Sequence, residues 1–162
     1  MMLFCHLIGA LLRGMRRFYN QSQRDKNMFK IPELDSVSAA NNGEVLEIEG
    51  ANGVVSRDEN GNAKLQLTLL GSDSSAFKAV QNRQTNKRLA KRQNLKLTAE
   101  ELEAETIETL AACTVAWHGF NDANGNPVIC NKANAAVLYR QFPAIREQAD
   151  RFINDRTNFL PK

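Results

Sequence analysis

Histidine, cysteine, tryptophan and long apolar runs are all scarce in this chain, and each scarcity removes a class of function. There are two histidines, His6 and His118, and three cysteines, Cys5, Cys113 and Cys130, none at metal-ligand spacing. Zinc sites need such donors in short, paired spacings, so no metal and no cofactor is expected. An odd cysteine count speaks for free thiols rather than a disulfide framework. Cys113 and His118 do not share a helix face and have no orienting acid, which argues against a nucleophile–base pair. No apolar run reaches the roughly 18 residues that mark a spanning helix, so no membrane is expected. The net charge is only +3, and a phosphate footprint needs clustered cations, so nucleic acid is not expected either.

What is present suits one modest core. The chain has 162 residues, 43% of them hydrophobic, which is close to the average for a globular domain. Residues 28–43 read as a polar lead-in with a turn at Asp35-Ser36. From Glu44 the pattern alternates: Leu46 and Ile48 against Glu47 and Glu49. Asn52-Gly53 predicts a type I′ hairpin, because both central positions of that turn require positive φ. Val54 and Val55 then begin a return strand. Asp58-Glu59-Asn60-Gly61-Asn62 is a second turn. Beyond it Leu65, Leu67 and Leu69 share one face while Gln66 and Thr68 face away. An antiparallel meander of about three strands is the expectation for residues 28–71.

Residues 72–162 read as about four helices that cover the sheet, giving an α+β domain over residues 28–162. Ser72 or Asp73 offers an N-cap for a helix over residues 74–92, with Phe77, Val80 and Leu89 inward. Thr98 and Glu101 match a capping box and predict a helix over residues 98–117, its inner side Leu102, Ile107, Leu110, Cys113, Thr114 and Trp117. Gly119 is its stop, with Phe120 just beyond. Asn131 caps a helix to about Gln141, with Val137 and Leu138 inward. Pro143 suits the first turn of a last helix carrying Ile145, Ala149, Phe152 and Ile153, with Arg156 continuing the row. The expected core is Leu67, Phe77, Leu102, Leu110, Trp117, Phe120, Ile145 and Phe152.

The charged motifs speak for contact rather than catalysis. Arg83, Lys87 and Lys91 fall four apart, a stripe on a helix, with Arg88, Arg92 and Lys96 nearby. No aromatic residue interleaves with them, which weakens a single-stranded nucleic-acid reading. Glu100, Glu101, Glu103, Glu105 and Glu108 form an acidic counterpart. Paired carboxylates do acid–base work only where burial separates their pKa values, and first-turn acids are solvated. The two charged helices attract each other, within one chain or between copies. Asp58-x-Asn60-x-Asn62 imitates a calcium loop, but Leu69 stands where the bidentate Glu belongs, and Asp122-x-Asn124-Gly125 fails likewise. Arg83, Lys87, Arg88, Lys91 and the near-terminal Phe159 are the candidate partner-binding residues, with a solvated helix face the other reading of the basic run and a core position the equal reading of Phe159; no residue is assigned as catalytic.

Three blocks in fixed order carry a family likeness: residues 97–105 (LTAEELEAE), residues 111–117 (AACTVAW) with Gly119-Phe120, and residues 142–159 from Phe142-Pro143 to Phe159. In that order they resemble the small tail assembly chaperones of long-tailed bacteriophages. The resemblance implies a non-enzymatic protein of the host cell cytoplasm, absent from the mature virion. It would bind the tail tube protein, the tape-measure protein, or both. Self-association is left open. The alternative is a structural virion protein of the tail or head–tail connector. The likeness starts near Met28, so residues 1–27 read best as an extension outside the natural protein. An amphipathic surface helix and a true domain element remain the other readings of the apolar run 2–12 and its following Arg13, Arg16 and Arg17.

Overall fold

In a computed structural model the described residues are 31, 35–90 and 97–160. The readings of residues 1–27 and of Met28 as a start lie outside them, as do Lys91, Arg92 and Lys96. The described chain runs α1 (Ser36–Asn42), β1 (Glu44–Glu47), β2 (Gln66–Leu69), α2 (Ser75–Ala90), α3 (Ala99–Cys113), β3 (Thr114–His118), α4 (Lys132–Gln141), α5 (Pro143–Asn154) and a 3-10 turn (Arg156–Phe159). The class is mixed α and β, with a three-stranded antiparallel sheet in the order β1-β2-β3.

The sheet is not the expected meander. β1 pairs directly with β2, in the register Glu44 to Leu69 through Glu47 to Gln66. Val54-Val55 adds only a bridge from Val55 to Glu49, within an excursion that also joins Arg57 to Ala63. The third strand comes from residues 114–118, where the pattern predicts the end of a helix. The long helix stops at Cys113 because Thr114 and Val115 are both β-branched and β2 offers an unpaired edge. Thr114 closes the helix: its N–H and its hydroxyl both donate to Leu110 O, the latter at 2.8 Å. The register between β2 and β3 slips between Thr68 and Leu69, leaving Val115 as an extra, bulged residue.

The turns follow one design three times. Gly53 N–H bonds Gly50 O, Gly61 N–H bonds Asp58 O, and Gly125 N–H bonds Asp122 O. In each the donor is itself a glycine at φ between +70° and +83°. These are three-residue loops whose glycine fills the left-handed position, so Ala51-Asn52, not Asn52-Gly53, sit at the centre of the first. The Oδ1 atoms of Asp58 and Asp122 each accept two backbone N–H groups, from Asn60 and Asn62 and from Asn124 and Asn126. Those bonds, led by the ones from Asn62 and Asn126, hold both carboxyls below their ordinary range. The calcium-like spacing is thus consumed by the chain's own turn.

One face of the sheet meets the helices. Leu67 and Leu69 are fully buried between β1, β3 and the helical layer, with Ile107, Leu110, Cys113, Leu138, Tyr139, Ala149 and Ile153. Gln66 and Thr68 face the other side, as their alternation predicts. Phe77, Trp117, Phe120, Ile145 and Phe152 are partly buried against this core. Trp117 therefore packs from a strand rather than from the inner side of a helix; its Nε1 donates to Val128 O at 2.7 Å and its ring meets Phe120 at 5.5 Å. Leu102, Leu89 and Val137 are exposed, contrary to the spacing-based assignment. Leu102 lies in the first turn of α3 and Leu89 in the last turn of α2, beyond the reach of the facing layer.

The last described elements are knitted to the first. An unpredicted helix, α1, is capped by Asp35, whose side chain accepts from Ser38 N–H. Gly71 N–H bonds Ala40 O, and Ser72 N–H bonds Ile153 O. The N-cap of α2 is Ser74, whose hydroxyl accepts from Phe77 N–H, rather than Ser72 or Asp73. Asp73 instead holds Ser36 Oγ at 2.8 Å and Arg156 Nε at 2.9 Å. Arg156 has therefore left the helical row, and α5 ends at Asn154.

Two outcomes follow from this packing. A Cβ on Gly119, at φ +86°, would lie 1.7 Å from Lys64 O, whereas one on Gly125, at φ +83°, would meet nothing within 4 Å. Gly119→Ala should cost about 3 kcal/mol or more in urea unfolding, and Gly125→Ala about 1 kcal/mol, the left-handed penalty alone. For Asp73, the Ser36 hydrogen bond first, then Arg156, depresses the carboxyl despite opposing desolvation. A depressed folded-state pKa adds stability above the unfolded value near 3.8 that is lost as pH falls through the folded value. Asp73→Asn should flatten the decline of stability below about pH 4, read from unfolding midpoints across that range.

Candidate interaction surface

Helix α2 is polar nearly all round, and it meets α3 through a narrow stripe: Phe77, Val80, Gln84 and Arg88. Such a helix is held by specific pairs rather than by an apolar face. Arg83 Nη2 lies 2.5 Å from Glu108 Oε1, and Arg88 pairs with Glu105. Between them the buried Gln84 donates to Glu105 O at 3.0 Å and to Glu108 Oε2 at 3.2 Å. Burial raises the Glu108 pKa, but the Gln84 hydrogen bond and the charges of Arg83, Lys87 and Lys132 outweigh it, leaving a net lowering. The basic and acidic runs therefore meet within one chain.

The candidate partner residues separate accordingly. Arg83 and Arg88 are seam residues, committed to α3. Lys87 is exposed beside the seam, and its charge acts on Glu108. Phe159 is 2% exposed, edge-on to Phe152 at 5.6 Å and beneath Gly71, so it is a core residue and not a docking one. Its position close to the chain end suggested exposure; the 3-10 turn folds it back under α1.

The residues with reactive groups are dispersed. Cys113 is buried, and burial pushes its thiol up to about 11 despite a hydrogen bond with Ser74. His118 is exposed on β3. The two form no nucleophile–base pair. Tyr139 OH lies 2.7 Å from Thr114 Oγ1 in the core, where desolvation raises the phenol's pKa. That pair ties α4 to the start of β3. No group of three or more metal-ligating side chains occurs among the described residues. No helix among them is long and apolar enough to cross a membrane.

A feature the pattern missed is the open side of the sheet. Val45, Thr68 and Ala116 stand in one cross-strand row on the face away from the helices, and Val45 and Val115 are about half exposed. No periodicity pointed there, because β3 itself read as helix. Searches against protein-family models, curated proteins and solved structures found no match to this chain.

The seam makes Arg83 and Lys87 separable by measurement. Arg83→Glu sets a like charge against Glu108 and should cost roughly 1 kcal/mol, recovered in part by adding Glu108→Arg. Lys87→Glu, at an exposed position whose charge also reaches Glu108, should cost less than Arg83→Glu, under about 1 kcal/mol. Chemical denaturation of the four proteins checks both.

Proposed function

We propose that this protein is a non-enzymatic assembly chaperone of a long-tailed bacteriophage, binding the tail tube protein, the tape-measure protein, or both during tail morphogenesis. The proposal starts from the family likeness of residues 97–105, 111–120 and 142–159. Those blocks form the capped start of α3, the helix-to-strand junction with Trp117 and Phe120, and α5 with its closing turn. The observation that supports it most is the polar α2. A helix whose exposed residues include Lys78, Gln81, Asn82, Thr85, Asn86 and Lys87, and whose inner stripe is narrow and flanked by ion pairs, contributes little to a core. It is well suited to meeting an acidic partner, where exposed charges set association rates. A chaperone of this kind acts in the host cytoplasm and leaves before the particle is complete.

The test is co-expression with the tail tube protein and recovery on an affinity tag. Because Arg83 is committed to the seam, the informative variant is Lys87→Glu with Lys91→Glu. It should retain the fold, lose recovered tube protein, and show a weaker salt dependence than wild type. Screening of exposed charges sets in beyond about 8 Å at physiological ionic strength. Equal recovery and equal salt response in both proteins would remove the cationic face from the mechanism. Abundance of this chain in purified particles would instead favour a structural virion component.

A further inference from the structure

The two edges of the sheet are treated very differently. Ile48 N–H donates to Leu65 O at 3.0 Å, which makes that couple a hydrogen-bonded pair of the β1–β2 ladder. Alternation along an antiparallel ladder then turns the N–H and C=O of Gln66 and Thr68 toward β3, and those of Val45, Glu47 and Glu49 outward from β1. The β1 edge is guarded. Gln148 of α5 accepts from Glu49 N–H and donates to Glu49 O, both near 2.8–2.9 Å, as a neighbouring strand would. Glu47 beside it carries Arg57 at 2.8 Å. Charged side chains and covering groups of this sort are the usual protection of a strand edge.

Among the described residues the β3 edge has no such guard. In the register, His118 and Ala116 face Gln66 and Thr68, so Trp117 turns its backbone N–H and C=O away from β2. Val115 is the bulged residue, opposite no β2 partner of its own. Among the described residues, no backbone or side-chain group outside β2 bonds to the main chain of residues 115–118. The strand Thr114–His118 contains no Lys, Arg, Asp, Glu or Pro, and Val115 is 49% exposed.

We infer that β3 pairs antiparallel with β3 of a second copy of this chain, about a two-fold axis at Ala116. That register sets the outward groups of Trp117 against Val115 of the other copy, twice, and so uses both free positions. A centre at Trp117 would instead use one and run into Gly119, whose φ of +86° ends the strand. Ala116 then faces its own copy in the close, non-hydrogen-bonded spacing, where the nature of the facing side chains is felt directly. The electrostatics select the same occupant. An uncharged strand can face itself, whereas β1 paired with itself through its outward groups, about an axis at Glu47, would set Glu47 against its own copy, a destabilising like-charge pair. The product is a six-stranded sheet with the row Val45–Thr68–Ala116 continued across the axis, an isologous closed dimer.

A residue on the axis meets itself, which allows a sharp test on the full chain. Sedimentation equilibrium should show a dimer for wild type. Ala116→Lys and Ala116→Glu should each raise the dissociation constant tenfold or more, since like charges are juxtaposed. A one-to-one mixture of the two variants should dimerise again, while Val45→Lys on the guarded edge should change nothing. A wild-type monomer at every concentration would overturn the inference. So would variants that dimerise as wild type does, or a mixture no better than its components. Should both variants lose their circular-dichroism spectrum, amide exchange in wild type decides. Protection of the Trp117 N–H that grows with protein concentration supports the pairing, and protection independent of concentration refutes it.

Discussion

Strand β2 has two edges and one apolar face to satisfy, and most of the molecule is arranged around those three demands. Its Leu67 and Leu69 are wholly removed from water. A strand that buries leucine on one face and shows Gln66 and Thr68 on the other must have helices on the first face only. One edge is met locally by β1, through an excursion with two glycine turns. The other edge has no local candidate, and the chain returns to it only after two helices. That return is what ends α3 at Cys113, and it draws Thr114 into contact with Tyr139.

The helical layer divides into an apolar and a polar part. α3, α4 and α5 share the core with the sheet, whereas α2 is attached to α3 by Arg83–Glu108, Arg88–Glu105 and the Gln84 amide. Partly exposed ion pairs each contribute little, so this attachment depends on the amide and the Val80–Phe77 contacts as much as on charge. The same arrangement explains why the cationic stripe is only half available to a partner. Its Arg83 and Arg88 are spent on the acids of the next helix, and Lys87 is left facing solvent.

Local structure was legible wherever one residue type has one physical outlet. The Thr98–Glu101 capping box forms with both of its hydrogen bonds. Asn131 caps α4, Pro143 opens α5, and Leu65, Leu67 and Leu69 share a face. The glycine turns formed too, although in the three-residue form, since neighbouring strand geometry selects between two loops that both want glycine. α1 was missed because Ser-Val-Ser-Ala-Ala-Asn-Asn has no amphipathic period; it holds through the Asp35 cap and the burial of Ala40.

The caps at Thr98 and Asn131, the sites of the glycine turns and the inward face of β2 were legible along the chain, because each depends on neighbours within a turn or two. Only the tertiary structure decided that residues 114–118 are a strand, that Phe159 is core, and that the basic and acidic runs cancel across α2 and α3. In each case the deciding partner lies far along the chain: Thr68 for Ala116, Gly71 for Phe159, Glu108 for Arg83. A helical spacing such as that of Leu110, Cys113 and Trp117 is compatible with either outcome at its end. The free energy of pairing with an open strand edge chose between them.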